Sequence, residues 1–150
     1  MSSEKLHFKI GLGGTYWKKV PVYSILVNDQ VIVTREITSP TDEEEFIEFD
    51  AEVAEGPCTL KIRLENKDDG DVVKDNDSAE NFTIVNDMLL NIKSIEIDEI
   101  NLANLIFSKS QFVGDDADRP VLTSCINLGW NGTWTLPFES PFYIWLLENI

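Results

Sequence analysis

Residues 66–87 concentrate the side chains of this chain that could bind a metal ion. The stretch holds six aspartates and one glutamate against two lysines, together with several asparagines. Carboxylate and amide oxygens are the hard ligands that Ca²⁺ accepts in large number and in loose geometry. Carboxylates crowded about 4 Å apart repel by roughly 4 kcal/mol at an effective dielectric near 20, and a bound divalent cation removes that cost. The composition of the stretch therefore predicts a calcium site.

A second interpretation of the same stretch needs no ion. A run of acids between strands is also typical of a solvated loop that only keeps a protein soluble. The helix-loop-helix calcium site is a poor match, because its spacing of aspartates, glycine and final glutamate does not occur here. The calcium loop and the solvated loop both stay open at this point.

The segments on either side of the acidic stretch have the patterns of β-strands. Residues 59–65 alternate apolar and charged side chains with a period of two, and residues 88–97 form a long run rich in isoleucine. Between them we expect a long loop without regular structure, which in a compact domain is usually disordered or functional.

Most of the remaining chain is also strand-like. Apolar residues recur with short spacing between turns in residues 5–10, 21–27, 30–37, 43–53, 121–126 and 133–136. Asn28 and Asp29 suit a two-residue hairpin turn, and residues 11–14 are expected to form a flexible glycine turn. Residues 99–107 favour a turn and a second strand over a helix. The pattern predicts an all-β fold, an antiparallel jelly-roll-like β-sandwich, as a single domain over residues 1–150.

The chain ends on a different pattern. Ser140 and Pro141 are typical of a helix N-cap followed by a first-turn proline, and residues 142–147 are all apolar. We predict a short C-terminal helical segment over residues 141–150. It either closes an open end of the sandwich or docks on a neighbouring subunit. The second alternative predicts a homo-oligomer, or docking on a larger particle, through Phe142, Tyr143, Trp145 and Leu146.

The charge of the chain excludes several partners. Lys+Arg 12 against Asp+Glu 27 gives a formal net charge of −15. Such a charge repels phosphate backbones and anionic lipids, so we expect no nucleic-acid partner and no membrane partner. The sequence shows no signal peptide and no apolar stretch of membrane-spanning length.

The residue inventory argues against catalysis. His7 is the one histidine, and no serine or cysteine motif accompanies it, so the sequence offers no nucleophile and base pair. Cys58 and Cys125 are two distant cysteines, either one disulfide or two small buried side chains. We expect a protein that is not an enzyme.

The segment around Asp87 resembles a known family. Residues 87–97 read Asp-Met-Leu-Leu-Asn-Ile-Lys-Ser-Ile-Glu-Ile, which is similar to the Asp-x-x-Leu and x-Ile-x-Ile pattern of the calcium-dependent xylan-binding carbohydrate-binding modules. Residues 25–32 also look like their first hairpin. The resemblance implies a jelly-roll domain that holds Ca²⁺ in a loop, with sugar hydroxyls completing the coordination of the ion.

The resemblance also implies a set of calcium ligands. Lys67 stands where the family has its first aspartate, which leaves the first ligand open among Asp68, Asp69 and Asp71. The match of Asp87 is firmer. The ligands expected on this basis are Asp69, Asp71 and Asp87, with Asp68, Asp75 and Asn66 as further candidates.

The final segment, residues 129–150, is similar to the ends of small structural proteins from bacteriophages of cyanobacteria. Domains similar to this one occur there as tail or capsid appendages. The resemblance implies a virion protein that leaves the host cell by lysis, and it implies contacts with other virion proteins.

Two functions are expected from these observations. The first is a non-catalytic, calcium-dependent domain that binds host-surface polysaccharide on an aromatic platform. Candidates for that platform are Tyr16, Trp17, Trp130 and Trp134, each of which could instead be a core residue. The alternative is a viral structural or assembly protein in which Ca²⁺ only orders a loop and the C-terminal segment makes a protein interface.

Overall fold

The computed structural model of the chain describes residues 2–76 and 82–150, and for Asp69, residues 73–76 and residues 82–85 it describes the main chain only. The first half contains β1 (Ser3–Thr15), β2 (Val22–Val27), β3 (Gln30–Glu36), β4 (Glu44–Ala54), β5 (Gly56–Leu64), a 3-10 turn (Asp69–Asp71) and β6 (Val73–Asn76). The second half contains β7 (Phe82–Asn86), β8 (Leu89–Ile97), β9 (Ile100–Asn101), α1 (Leu105–Ser108), β10 (Gln111–Gly114), β11 (Leu122–Thr123), β12 (Asn127–Leu128), β13 (Gly132–Ser140) and α2 (Phe142–Asn149).

Two antiparallel sheets pack face to face as a sandwich, which confirms the predicted fold class. Within the described residues, one sheet has the order β12-β8-β1-β4, with β9 paired to β8, and the other has the order β11-β10-β13-β5-β2-β3. Strands β6 and β7 pair with each other as a separate two-stranded arm.

The core lies between the two sheets and follows the alternation of the sequence. In β1 the side chains of Leu6, Phe8 and Ile10 are buried, because alternate residues of a strand point to the same face. The ring of Phe8 meets that of Phe138 on β13 of the other sheet, with 6.3 Å between the ring centroids. This contact joins the two layers.

Three local predictions need correction or refinement. Residues 11–14 are not a flexible turn but the second half of β1, paired with β4 on one side and β8 on the other. The acidic stretch is not a loop without structure, since it contains the 3-10 turn and the arm of β6 and β7. The region after β9 forms α1 instead of a second strand.

The hairpin between β2 and β3 is confirmed, with positive φ angles of 50° at Asn28 and 65° at Asp29.

The C-terminal helix is present, but its start differs from the prediction. Ser140 is the last residue of β13 and does not cap α2 with its side chain. Instead the Glu4 carboxylate on β1 accepts hydrogen bonds from the Ser140 hydroxyl, at 2.8 Å, and from the Phe142 amide, at 2.7 Å. A carboxylate is favourable there, because the first N–H groups of a helix lack partners within the helix.

The helix closes the sandwich with one face only. Phe142, Trp145 and Leu146 are buried in the core of the same chain, so the prediction that they form an interface is wrong for these three. Tyr143 is half exposed, and Ile144 and Leu147 on the outer side are exposed as well. In the described part of the chain neither helix is long and apolar enough to cross a bilayer. Cys58 and Cys125 are free thiols.

The Glu4 contact yields a prediction about stability. Replacing Glu4 by Ala removes two hydrogen bonds to a charged acceptor, and we expect the free energy of unfolding to fall by about 1–2 kcal/mol. Glu36→Ala, at an exposed position of β3, is the matched control and should change stability by less than about 0.5 kcal/mol. Urea denaturation measures both. Equal losses in the two variants would contradict a capping role for Glu4.

Candidate functional site

Three neighbouring strands of the six-stranded sheet have ends that lie side by side. Gly132, the first residue of β13, pairs with Leu64 at the end of β5 and with Gly114 at the end of β10. The loops that continue from these ends are therefore neighbours in space, although they are far apart in the sequence. Two glycines permit the close approach, because a Cβ atom on Gly132 would lie 2.5 Å from the Val113 carbonyl oxygen and one on Gly114 would lie 2.6 Å from the Trp130 indole nitrogen.

The loops enclose a groove of about 540 Å³. Its lining residues are Lys67, Asp68, Val72, Asp115, Asp116, Arg119, Gly129, Trp130 and Asn131. Carboxylates, an amide, a guanidinium and main-chain groups thus share a concave surface with one large aromatic ring. Such a mixture of donors and acceptors suits a ligand that carries many hydroxyl groups.

The indole of Trp130 forms one wall of the groove, and the Arg119 guanidinium stacks on it. The Arg119 guanidinium carbon lies 4.5 Å from the centroid of the Trp130 ring. The indole also packs against buried Phe112, with 5.7 Å between ring centroids. The stacking holds an exposed guanidinium in place by a cation–π contact, which is worth about 0.5–1 kcal/mol at an exposed site.

The acidic turn between β10 and β11 is also fixed. Asp115 accepts a hydrogen bond from Arg63 Nη2 at 2.9 Å, and its amide donates to the Asn131 carbonyl oxygen at 2.9 Å. The Asp116 carboxylate accepts from the Asp118 amide at 2.9 Å. The carboxylates of Asp115 and Asp116 are therefore positioned before any ligand arrives.

Lys67 connects the loops of the two sheets. Its ammonium donates to Asp87 Oδ1 at 2.6 Å and to the Gly129 carbonyl oxygen at 2.5 Å. Its main chain is held by the Asn131 side chain, which accepts from the Lys67 amide at 2.7 Å and donates to the Lys67 carbonyl oxygen at 3.0 Å. Lys67 follows β5 of one sheet, whereas Asp87 precedes β8 and Gly129 follows β12 of the other. The contacts of this one side chain connect the two sheets at the groove.

Asp71 is the buried anchor of the 3-10 turn. Its carboxylate is fully buried, accepts from the Asp68 amide at 2.7 Å and lies 2.9 Å from Lys19 Nζ and 3.4 Å from Lys18 Nζ. Burial raises the pKa of Asp71, but the Asp68 amide and the two lysines outweigh it, so the pKa lies below the ordinary value of 3.8. The side chain is ionised and neutralised by lysines.

Asn66 is likewise committed to the main chain. Its side-chain oxygen accepts from the Val22 amide at 2.8 Å, and its amide nitrogen donates to the Val20 carbonyl oxygen at 3.0 Å. Asp68 is exposed and pairs with Lys19 at 2.8 Å. The side chains of Asp69 and Asp75 lie outside the described residues.

The described ligand candidates do not fit a calcium ion. Among the described residues, no group of three or more His, Cys, Asp and Glu side chains is placed to hold a metal. Asp71 and Asp87 are paired with ammonium groups. A second cation beside them would be repelled, since two unit charges about 4 Å apart repel by about 4 kcal/mol at an effective dielectric near 20. The predicted cluster of Asp71, Asp87 and their neighbours is therefore not brought together around one point by the described side chains.

The four predicted platform residues are in different places. Trp134 is fully buried in the core, so the prediction that it contacts a ligand is wrong. Tyr16 is half-buried and its hydroxyl donates to the Ser39 carbonyl oxygen at 2.9 Å. Trp17 is 44% exposed and donates to the Asp71 carbonyl oxygen at 2.8 Å, beside the 3-10 turn. Trp130 is the one of the four that lines the groove.

Several groove residues were not predicted from the sequence. Arg119, Asp115 and Asp116 lie in the turn between β10 and β11, and Asn131 lies in the Gly-Trp-Asn-Gly segment of residues 129–132. A second acidic turn and a glycine-flanked tryptophan are the signals that could have found them. Neither signal shows by itself that the two segments meet, because that depends on the pairing of β10 with β13.

Two solved structures share this architecture. One is vCBM60 in complex with galactobiose, which is 11% identical, has a TM-score of 0.53 and covers 87% of this chain and 96% of that one. The other is the selenomethionine form of vCBM60, 12% identical with a TM-score of 0.52, covering 87% of this chain and 89% of that one. It is described with a circular permutation that links two families of calcium-dependent carbohydrate-binding modules.

The similarity at this level of identity shows the fold. No protein-family model matches the chain, and no curated protein matches it. The chain shares the β-sandwich fold of vCBM60, which agrees with the fold that the resemblance implies. A preference for xylan and an origin in a bacteriophage stay predictions.

The lowered pKa of Asp71 predicts how stability depends on pH. Because its pKa is lower in the folded chain than in the unfolded chain, Asp71 stabilises the fold fully above pH 3.8, and that contribution is lost as the pH falls through the lower folded value. Asp71→Asn should lower the free energy of unfolding at pH 7 by about 1–3 kcal/mol and flatten its decrease below pH 4. Urea denaturation at several pH values measures this.

The control for this experiment is Asp118→Asn, at an exposed position of the acidic turn. It should leave the stability at pH 7 and its pH dependence close to those of the unmodified protein. If Asp71→Asn and Asp118→Asn gave the same curves, diffuse charge rather than the buried Asp71 carboxylate would control acid unfolding.

Proposed function

We propose that the chain is a non-catalytic carbohydrate-binding domain and that the groove at the meeting point of β5, β10 and β13 binds part of a neutral polysaccharide. The observation that carries the proposal is the groove itself, which is lined both by Arg119, stacked on Trp130, and by the fixed carboxylates of Asp115 and Asp116. The fold shared with vCBM60, which binds galactobiose, supports it.

The chemistry of the groove matches sugar hydroxyls. A hydroxyl group both donates and accepts, so it can bridge a carboxylate and a guanidinium. Asp115 and Asp116 supply acceptors, Arg119 supplies donors, and the indole of Trp130 gives an apolar wall for a sugar ring edge. A formal net charge of −15 favours a neutral glycan over an anionic one.

A calcium-dependent form of this function is the version that the sequence predicted. It is supported by the description of the vCBM60 families as calcium-dependent and by the acids of residues 66–87. With Asp71 and Asp87 as ligands, this form requires Lys67 to leave Asp87, and Lys18 and Lys19 to leave Asp71. The lysine-paired form requires no such displacement, and a chelator separates the two.

The alternative function is that of a viral structural or assembly protein. The exposed apolar side chains of Tyr143, Ile144 and Leu147 on the outer face of α2, with Ile150 beyond it, favour this alternative. In this proposal the protein is a tail or capsid appendage of a bacteriophage virion and forms a homo-oligomer or docks on other virion proteins. The resemblance of residues 129–150 supports that placement.

Glycan binding is tested at Arg119. A glycan array that includes galactobiose should identify a neutral ligand, and Arg119→Ala should weaken its binding at least about tenfold, since a lost hydrogen bond to a charged group costs about 1.5–3 kcal/mol. Arg35→Ala, which removes an exposed arginine from β3 outside the groove, should leave the affinity unchanged. Isothermal titration calorimetry measures both variants.

Two results would contradict this assignment. Affinity that survives Arg119→Ala but disappears in Trp17→Ala would place the glycan beside the 3-10 turn instead of in the groove. An array without any bound glycan would favour the assembly function.

The assembly function makes its own prediction at α2. Truncation before the helix is not informative, because it would remove buried Phe142 and Trp145 from the core. Leu147→Glu changes a side chain that is 73% exposed, so the fold should remain while an oligomer dissociates. Light scattering measures the mass, and Val31→Glu, at another exposed apolar position, is the control. An unchanged mass in Leu147→Glu would show that the outer face of α2 is not an interface.

A further inference from the structure

The ammonium of Lys67 occupies a position that has the ligands of a cation site. It contacts Asp87 Oδ1 at 2.6 Å and the Gly129 carbonyl oxygen at 2.5 Å. The same Asp87 oxygen accepts from the Met88 amide at 2.8 Å. A carboxylate and a main-chain carbonyl are the kinds of oxygen that a divalent cation uses. Here both are bound by a three-donor ammonium that belongs to the chain.

We propose that Lys67 is the built-in cation of the groove, and that its ammonium, in place of Ca²⁺, neutralises Asp87 and fixes the Gly129 carbonyl, so that the groove is ordered without a metal ion.

The burial of the pair distinguishes it from a surface ion pair. The Lys67 side chain is 8% exposed and that of Asp87 is 20% exposed. Exposed ion pairs contribute little, whereas the loss of one partner from an enclosed pair leaves an uncompensated charge. The Asn131 side chain binds both the amide and the carbonyl oxygen of Lys67. The lysine side chain is therefore fixed at its main-chain end as well as at its ammonium group.

The same arrangement recurs at the neighbouring acids. Lys19 lies 2.8 Å from Asp68 and 2.9 Å from Asp71, and Lys18 lies 3.4 Å from the other oxygen of Asp71. Lysines therefore neutralise Asp68, Asp71 and Asp87, the three aspartates of residues 66–87 whose side-chain contacts are described. At these three aspartates, ammonium groups of the chain relieve the repulsion from which the sequence predicts a calcium ion.

One consequence concerns the ligand, and it rests on the proposed function. The Gly129 carbonyl lies next to Trp130, so Lys67 positions the wall that carries Arg119. Lys67 is in these terms a positioning residue for glycan binding. Binding in the groove should then be the same in CaCl₂ and in chelator.

The test compares melting temperatures in millimolar CaCl₂ and in EDTA. The unmodified protein should melt at the same temperature in both. In Lys67→Asp the new carboxylate stands on a shorter side chain, which leaves the ammonium position to an ion that could bind residue 67, Asp87 and the Gly129 carbonyl, the kinds of oxygen that Ca²⁺ takes. Lys67→Asp should therefore gain a calcium-dependent rise of roughly 3 °C or more.

Two controls locate the gained response. The double variant Lys67→Asp, Asp87→Asn should lose most of the rise, because one ligand is gone. Lys61→Asp places a new carboxylate beside Asp29, with which Lys61 is paired on the surface, and should show no rise. Since CaCl₂ alone is added, the outcome does not depend on whether the groove binds a glycan, and failure here is distinct from failure of the proposed function.

Three results would overturn the proposal. The first is a calcium-dependent rise in the unmodified protein that Asp87→Asn removes. The second is a folded Lys67→Asp variant that melts alike in CaCl₂ and in EDTA. The third covers the case in which Lys67→Asp does not fold: Lys67→Met keeps an apolar stem without the charge, and it should melt below the unmodified protein in both solutions. A Lys67→Met variant that melts like the unmodified protein in EDTA would show that the ammonium does not hold the site.

Discussion

The ion pair between Lys67 and Asp87 is the constraint on which the groove depends. A sandwich buries its two apolar faces against each other, but the loops at its ends have no such force to position them. Here one ammonium reaches from the loop after β5 to the loops that flank β8 and β12 on the other sheet. An enclosed pair of this kind is costly to desolvate, and it is stable only while both partners and their hydrogen bonds are present. The geometry of Gly129, Trp130 and Arg119 follows from it.

The acids of the chain fall into two groups, one paired with lysines and one that lines the groove. Of the acids in residues 66–87, those with described side-chain contacts are neutralised by Lys18, Lys19 and Lys67. The Asp115 carboxylate is held by Arg63 and that of Asp116 by the Asp118 amide, and both residues line the groove. The first group of acids is structural and the second is available to a ligand. A ligand with hydroxyl groups and no charge fits the second group, as proposed for a neutral polysaccharide.

The sequence predicted the sandwich because burial with a period of two is written into strands such as β1 and β5. It failed where tertiary contacts decide. Residues 11–14 form a strand because β4 and β8 pair with them from both sides, which overrides the turn preference of glycine. Trp134 is core and Trp130 lines the groove, although both are tryptophans near glycine, because they lie on different sides of the start of β13. The partners of Lys67 are 20 and 62 residues away in the sequence, and local patterns carry no information on such distances. Composition therefore indicated a cation for the acids, while only the structure shows that lysines pair with Asp68, Asp71 and Asp87.

The most direct test of this account is a double-mutant cycle on Lys67→Met and Asp87→Asn, measured by urea denaturation in EDTA. The cycle isolates the energy of the pair from the other effects of each substitution. The account predicts that each single variant loses stability and that the double variant loses less than the sum, by about 2 kcal/mol, because an enclosed charge left without its partner is costly. Additive losses, with a coupling energy near zero, would show that the ammonium and the carboxylate do not hold the two sheets together and would contradict the account.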